Sequence, residues 1–190
     1  MSSVVGICNR ALQKLGASKI MDIAESSKNA RSCLAAYDAV LEAELRKHTW
    51  AFAVKRVQLA TNLIGPTHGQ HNAFTLPADF IRLLDPDSQY NYVERDWNIE
   101  GRELLAYESG PISIRYVAKV TDPNQMDSLF REVFAAKLAE EMCEELTQSN
   151  AKREGLAADY QLTIREAKKT NAIEKASSVP PEDSWVTVRR

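Results

Sequence analysis

Glu140, Glu141, Glu144 and Glu145 form the densest group of reactive side chains in the sequence. On a helix Glu140 stands one turn from Glu144, and Glu141 one turn from Glu145, a spacing at which two carboxylates can share a proton or a metal ion. A dimetal site in a helical bundle needs carboxylates from several helices and a Glu-x-x-His pattern on two of them. Neither long C-terminal helix carries that pattern, so the four glutamates read as a solvated face or as the electrostatic face of an oligomer. His68 and His71 are close enough to share a metal, but the surrounding stretch has no cysteine, aspartate or glutamate to complete a zinc shell. They read as surface histidines. His48 falls at a predicted helix end, where a donor suits the exposed carbonyls. Arg46, Lys47, Lys55 and Arg56 flank Trp50 and Phe52 without the further basic density of a nucleic-acid patch, so Trp50 and Phe52 are taken as a structural aromatic anchor. The chain contains no Gly-x-Gly-x-x-Gly, no phosphate-cradling Gly-rich Lys-Ser/Thr loop and no Gly-x-Ser-x-Gly elbow. No catalytic, cofactor-binding or metal-binding residue is assigned, no cofactor is expected, and a non-enzymatic role is the expectation.

Apolar residues make up 44% of the 190 positions and charged residues 26%, the balance of a soluble globular protein. A formal net charge of -2 supplies no general attraction to nucleic acid or anionic lipid. No apolar run approaches the roughly 20 residues that span a bilayer, and the N-terminus lacks the basic and hydrophobic regions of a signal peptide. Membrane insertion and secretion by that route are not expected. Cys8, Cys33 and Cys143 each fall on the apolar face of a predicted helix, which suits buried reduced thiols.

Four helices must position these residues. Residues 124–147 carry Leu129, Phe130, Val133, Phe134, Leu138, Ala139, Met142, Cys143 and Leu146 at spacings of three and four, a helical stripe that a strand would half expose. Asp122 is the expected N-cap and Pro123 fits the first turn. A following helix over 151–169 presents Leu156, Ala157, Tyr160, Ile164 and Ala167, and the short connection predicts an antiparallel pair. Near the N-terminus, Val4, Val5, Ile7, Cys8, Ala11, Leu12 and Leu15 predict a short helix between Ser2 or Ser3 and Gly16. A second starts at Ser26 or Ser27, with Ala30, Cys33, Leu34, Tyr37, Val40, Leu41 and Leu45 inward, and fades near Thr49. Lys55, Val57 and Leu59 can start a strand. Short aromatic or branched segments at 74–76, 80–84, 90–94, 97–99, 103–106 and 112–117, separated by proline and glycine, predict a small antiparallel sheet.

The expected class is therefore mainly α with an inserted small antiparallel β-sheet (α+β): a helical bundle body over 1–60 and 118–176, an inserted β subdomain over 61–117, and an extended C-terminal arm over 177–190. Trp185, Val186, Val188, Arg189 and Arg190 would suit an arm that docks on a neighbour; a frayed terminus is the alternative.

Several stretches resemble the tail tubular protein A family of short-tailed bacteriophages: Ile7-Cys8-Asn9-Arg10-Ala11-Leu12 with Leu15-Gly16-Ala17, Ala30 through Cys33, Tyr37-Asp38, Trp50-Ala51-Phe52-Ala53 with Lys55-Arg56, and Leu76-Pro77-Ala78-Asp79-Phe80 with Ile81-Arg82-Leu83. These cover about the first half of the chain; the second half matches in its order of sheet, two long helices and extended terminus. The resemblance implies a head-to-tail adaptor of the virion tail, a homo-oligomeric ring commonly of twelve copies that joins the portal protein to the tail nozzle protein and passes double-stranded DNA through its lumen. It would be made in the host cytoplasm during assembly. The resemblance also implies that the arm, including Trp185, Val186, Val188, Arg189 and Arg190, docks on portal or neighbour. Glu140, Glu141, Glu144 and Glu145, together with Glu94 and Glu103 in exposed turns, are candidates for an acidic surface facing the lumen. A virion-associated polysaccharide or cell-wall hydrolase and a host helical protein-interaction module are the alternative readings.

Overall fold

The structure, a computed structural model, describes residues 3–84 and 97–174. In chain order it contains α1 (Val4–Leu15), α2 (Lys28–Lys47), a single 3-10 turn (Ala51–Ala53), β1 (Val54–Leu59), β2 (Asn72–Thr75), β3 (Phe80–Leu84), β4 (Trp97–Glu100), β5 (Glu103–Ala106), β6 (Ile112–Ala118), α3 (Ser128–Thr147) and α4 (Asn150–Ile173). The class is the expected one, mainly α with a small antiparallel insertion. The positions proposed for the docking arm, Trp185, Val186, Val188, Arg189 and Arg190, lie outside the described residues, as do Glu94 and the strand expected at 90–94.

Each helix end follows from local chemistry. Ser3 Oγ accepts from the Gly6 N–H at 3.0 Å, and Gly16 closes α1 at φ 66°, a left-handed conformation that needs no Cβ relief. The Ala17 N–H then reaches back to the Leu12 carbonyl at 2.9 Å and the Gly16 N–H to that of Gln13 at 3.1 Å. Asn9 holds the connector that follows: its side chain donates to the Ile20 carbonyl at 2.9 Å and accepts from the Ile20 N–H at 2.8 Å. That pairing explains how a segment without regular structure keeps Ile20 buried.

α3 is the hub, packed against α1, α2 and α4. Three-sided contact explains why Ala135 and Ala136, beyond the predicted stripe, are fully buried as well. The helix begins later than the sequence suggests. Asp122 Oδ1 accepts from the Asn124 N–H at 2.9 Å in a local turn, whereas Asp127 caps α3 through the N–H groups of Leu129 at 2.8 Å and Phe130 at 3.2 Å. An aspartate followed by proline looks like a cap, but Asx turns compete for the same side chain. Leu34, expected in the core, is 59% exposed, whereas its neighbour Cys33 is buried and meets Cys8 of α1.

The six described strands form two three-stranded antiparallel sheets instead of one, in the orders β1-β6-β3 and β2-β5-β4. β1, which precedes residue 60, pairs with β6 from Val54↔Val117 to Leu59↔Ile112, so the first sheet takes in residues on both sides of that expected boundary. Along β6, Ile112, Ile114 and Tyr116 pack with Leu59, Phe74 and Leu104 in a second core between strands. Val117 points the other way, into the helical core with Trp50, Phe130 and Leu84. Period-two alternation thus lets one strand serve two cores. The β4–β5 hairpin turns on Gly101 and Arg102, with Glu100 opposite Glu103 and Gly101 at φ 59°, as expected for an exposed tight turn.

Candidate functional site

The described structure concentrates its polar chemistry where α2 ends and the sheets begin. After Lys47 the chain turns through His48–Trp50 into the 3-10 turn and β1. Trp50 is 1% exposed; its ring stands edge-on to Phe130 at 5.0 Å and to His48 at 4.9 Å, and Phe52 lies 4.9 Å from the same Phe130. The indole N–H donates to the Glu44 carbonyl at 3.1 Å, one of the four α2 carbonyls left without a helical partner. The anchor residues are therefore both a packing element and a helix cap. Asn171, near the end of α4, clamps the same corner: its Oδ1 accepts from the Ala51 N–H at 2.8 Å, and its Nδ2 donates to the Thr49 carbonyl at 3.0 Å and lies 3.1 Å from His48 Nε2.

One turn behind Trp50, the Glu44 side chain is wholly buried. Tyr160 Oη donates to its carboxylate, 2.9 Å from Oε2, and Lys47 Nζ stands 2.5 Å from Oε1. Lys47 and Lys137 flank the Tyr160 ring, their ammonium groups 5.4 and 5.5 Å from its centroid, and Lys137 pairs with Glu140 at 3.0 Å. Burial, then the Glu44 charge and hydrogen bond, pushes the Tyr160 hydroxyl up, so it remains a donor to Glu44 at neutral pH. A buried carboxylate met by a hydroxyl and a cation is a satisfied structural charge joining α2, α3 and α4.

The four glutamates of α3 separate around this helix. Glu140 belongs to the Tyr160 cluster, Glu144 reaches Arg153 of α4 at 3.4 Å, Glu145 accepts from Ser32 Oγ of α2 at 2.6 Å, and Glu141 is exposed. Glu103 lies on β5, where Asn62 Nδ2 donates to it at 2.8 Å. The structure does not bring the described glutamates into one cluster. His68 Nδ1 sits 3.1 Å from Thr67 Oγ1 and the His71 ring lies edge-on to Tyr107, so the two imidazoles are engaged separately. Among the described residues no group of three or more His, Cys, Asp or Glu could hold a metal. Cys8 and Cys33, far apart in sequence, meet thiol to thiol between α1 and α2; that contact and burial push the Cys8 thiol up. All three cysteines are buried, and no described helix is long and apolar enough to cross a membrane.

A second set of polar contacts ties strands to one another and, through Lys119, to α2. Asp79 accepts from Lys55 Nζ at 2.7 Å and from Tyr116 Oη at 2.9 Å. Burial raises the Asp79 carboxyl, but the Lys55 and Tyr116 bonds and the Lys55 charge outweigh it, leaving the group below its usual range. Lys119 pairs with Glu42 at 2.6 Å and lies 3.9 Å from Asp38. Between α2 and the start of β3, Glu42, Asp79 and Lys119 line a groove of about 550 Å³ together with Ala39, Ala43, Ala78, Phe80 and Ile81. Arg46 donates to the Ile81 carbonyl at 2.6 Å and Arg102 to that of Pro77 at 2.7 Å. Of the basic residues around the anchor, Arg46, Lys47 and Lys55 are thus engaged within the chain.

Burial and then the Asp79 bond push Tyr116 up to about 12, and burial also raises Tyr37 and Tyr160. Tyrosines ordinarily ionise near 10, so these folded pKa values exceed the unfolded ones; the stability Tyr116 contributes is complete below pH 10 and is lost as pH rises through about 12, and that of Tyr37 and Tyr160 is lost at higher pH still. A spectroscopic titration of tyrosinate should show only part of the six tyrosines ionising near pH 10, with the rest delayed until the far-ultraviolet circular dichroism collapses. All six ionising near 10 in a chain that keeps its helicity would contradict the buried assignments.

Sequence reasoning missed Asn171, Glu44, Asn9 and Asp79 as joints. The signal available was a polar residue at an inward helical position for Glu44, and nothing local for the others. No protein-family model matches the chain, and no curated protein matches it.

Proposed function

We propose that this chain is a non-enzymatic structural adaptor of a short-tailed phage virion, forming a ring that joins portal to tail nozzle and lines part of the DNA conduit. The observation that carries the reading is where the resembling stretches lie. Lys55 follows the Trp50–Ala53 stretch and Asp79 belongs to the Leu76–Phe80 stretch, and the two form one ion pair between β1 and the turn that leads into β3. Asn9, from the first stretch, holds the Ile20 backbone, and Asp38 faces Lys119 beside the groove. Of these contacts the Asp38–Lys119 approach, with the Glu42–Lys119 pair beside it, spans α2 and the end of the sheet and can hold the angle between the helical body and the inserted β unit. A ring of copies needs that angle held, because any error in it accumulates around the circle.

Around the groove the charged groups engage one another or backbone carbonyls, which suits a packing surface more than a reaction site. In the ring, the arm that includes Trp185, Val186, Val188, Arg189 and Arg190 reaches portal or neighbour. The acidic lining of the passage draws on exposed glutamates such as Glu141 and Glu103.

Native mass spectrometry and negative-stain microscopy of the full chain, alone and mixed with portal and nozzle proteins, test this. A ring that binds portal is expected. Trp185→Ala with Val188→Ala should weaken portal binding about tenfold or more, the scale of an interface anchor, while leaving thermal unfolding of the isolated chain nearly unchanged. A chain that stays monomeric, ignores both partners and cleaves a polysaccharide would replace this reading with the hydrolase.

A further inference from the structure

Two thiols that the adaptor reading does not use meet inside the helical body. Cys8, in the second turn of α1, and Cys33, in the second turn of α2, are both 0% exposed and share one core cluster, and the Cys8 S–H donates to the Cys33 sulfur. A cysteine on its own is an ordinary small core residue. Cys143 is of that kind, its sulfur 3.2 Å from Thr147 Oγ1 of its own helix. Two thiols brought into contact from different helices ask for more. Tyr37, one turn after Cys33 on the same face of α2, is 6% exposed, and its hydroxyl has no hydrogen-bond partner among the described residues. A core built for packing alone would hold phenylalanine there and leave no donor unmet.

We propose that Cys8 and Cys33 are a redox pair that closes to a disulfide and staples α1 to α2 when the folded protein meets a peroxide. This is independent of the adaptor reading. α1 packs chiefly on α3, so the bond would add a tie between helices that otherwise touch little. A disulfide needs its sulfurs at about 2.05 Å, and thiols already in hydrogen-bond contact reach that with a small shift of α1.

The two members are unlike. The hydrogen bond from Cys8 holds the Cys33 thiol below its usual range against the opposing effect of burial, which makes Cys33 the nucleophile. Its thiolate attacks one peroxide oxygen and the O–O bond breaks, leaving a sulfenic acid on Cys33 and hydroxide, which takes a proton to become water. Cys8 then attacks the sulfenic sulfur. The S–S bond forms, the S–O bond breaks, and the Cys8 proton leaves with the departing hydroxide as water. The two thiols lose two electrons, and the peroxide gains them.

Burial keeps this slow, because a buried thiol is inert until it is reached. α1 supplies the access. With 12 residues it is the shortest of the four helices, and its ion pairs to α3 and α4, Arg10–Glu132 and Lys14–Asp159, are partly exposed and hold weakly. Local opening of such an element admits a molecule as small as hydrogen peroxide. Once formed, the staple suppresses that opening.

The test uses the full chain, reduced and then exposed to hydrogen peroxide while folded. Loss of two hydrogens from the intact mass is expected, with the Cys8 and Cys33 peptides joined and Cys143 still open to alkylation after unfolding. The oxidised chain should melt roughly 5–10 °C higher, the scale for a disulfide closing a loop of this length, and hydrogen exchange in α1 should slow. Dithiothreitol should reverse both. Cys8→Ser should stop at the sulfenic acid on Cys33, trapped by dimedone, whereas Cys33→Ser should leave Cys8 unlabelled. Mapping of the parent chain decides the matter even where a variant fails to fold. Three free thiols after peroxide, a disulfide made by Cys143 or between copies in place of the Cys8–Cys33 bond, a Cys8–Cys33 bond that forms only in urea, or a bond that leaves melting and α1 exchange unchanged would each overturn the staple. None of these outcomes bears on ring formation, so the adaptor reading stands or falls separately.

Discussion

Trp50→Ala is expected to lower the unfolding free energy by about 3–5 kcal/mol, the range for truncating a buried large aromatic. Trp50 is 1% exposed and sits where α2, α3 and the 3-10 turn meet, so the surrounding helices cannot collapse into the space without breaking their own packing. Two smaller effects add to the cavity. The edge-on contacts with Phe130 and His48 contribute about 0.5–1.5 kcal/mol each beyond area, and the Glu44 carbonyl loses its indole donor. Trp50→Phe separates these contributions. It keeps most of the aromatic packing and removes the cap, for an expected loss of about 1–2 kcal/mol. Urea unfolding of both variants, with slopes compared to the parent, reads the difference. A Trp50→Ala loss near that of a surface substitution, at unchanged slope, would mean that the corner is not the joint described above.

Asn171→Ala comes next, at about 2–4 kcal/mol, and the cause is polar instead of apolar. Asn171 is 8% exposed and its amide is fully engaged: the Ala51 N–H, the Thr49 carbonyl and His48 Nε2 all bond to it. An N–H at the first position of a helical turn has no partner within that turn. Removing the amide therefore takes the acceptor from the Ala51 N–H and the donors from the Thr49 carbonyl and His48 in a part-buried corner, at about 0.5–1.5 kcal/mol for each bond. Asn171→Asp tests whether hydrogen bonding or volume matters. Aspartate keeps the shape and the acceptor for Ala51, but it points an oxygen at the Thr49 carbonyl, and it should recover only part of the loss. Hydrogen exchange localises the effect: the Ala51 amide should lose protection in both variants while amides in the middle of α3 keep theirs. Uniform loss of protection across α3, with Ala51 no worse than the rest, would assign Asn171 to the general core instead of to the corner.

These two positions differ in how far the sequence exposes them. Trp50 and Phe52 are legible as an anchor because large aromatics directly after an amphipathic helix have to be buried somewhere close by. Asn171 is not legible. Its neighbours suggest a helix running out of apolar pattern near Lys169, and nothing within a few residues marks it as the partner of a turn 120 positions away. The same holds for Asp79, which reads as one residue of a proline-containing turn until the strands bring Lys55 and Tyr116 to it.

The acidic run of α3 makes the complementary point. Glu140, Glu141, Glu144 and Glu145 look like one feature along the chain, but 100° per residue distributes them over α3, and α2 and α4 receive different members. Asp122 and Asp127 show the limit at the scale of one turn, because both are caps in chemical type and only the start of three-sided packing at Leu129 and Phe130 selects the second.

The amino-acid order by itself determined the four helices, most strands, the Gly16 and Gly101 turns and the mainly α class, because periodicity, caps and turn residues act over a few positions. Only the tertiary structure decided which polar groups become joints, that the strands divide into two sheets, and that Cys8 meets Cys33. Those outcomes depend on pairs of residues distant in sequence, whose meeting is set by the packing of whole elements around α3, and no local pattern encodes a distance between elements.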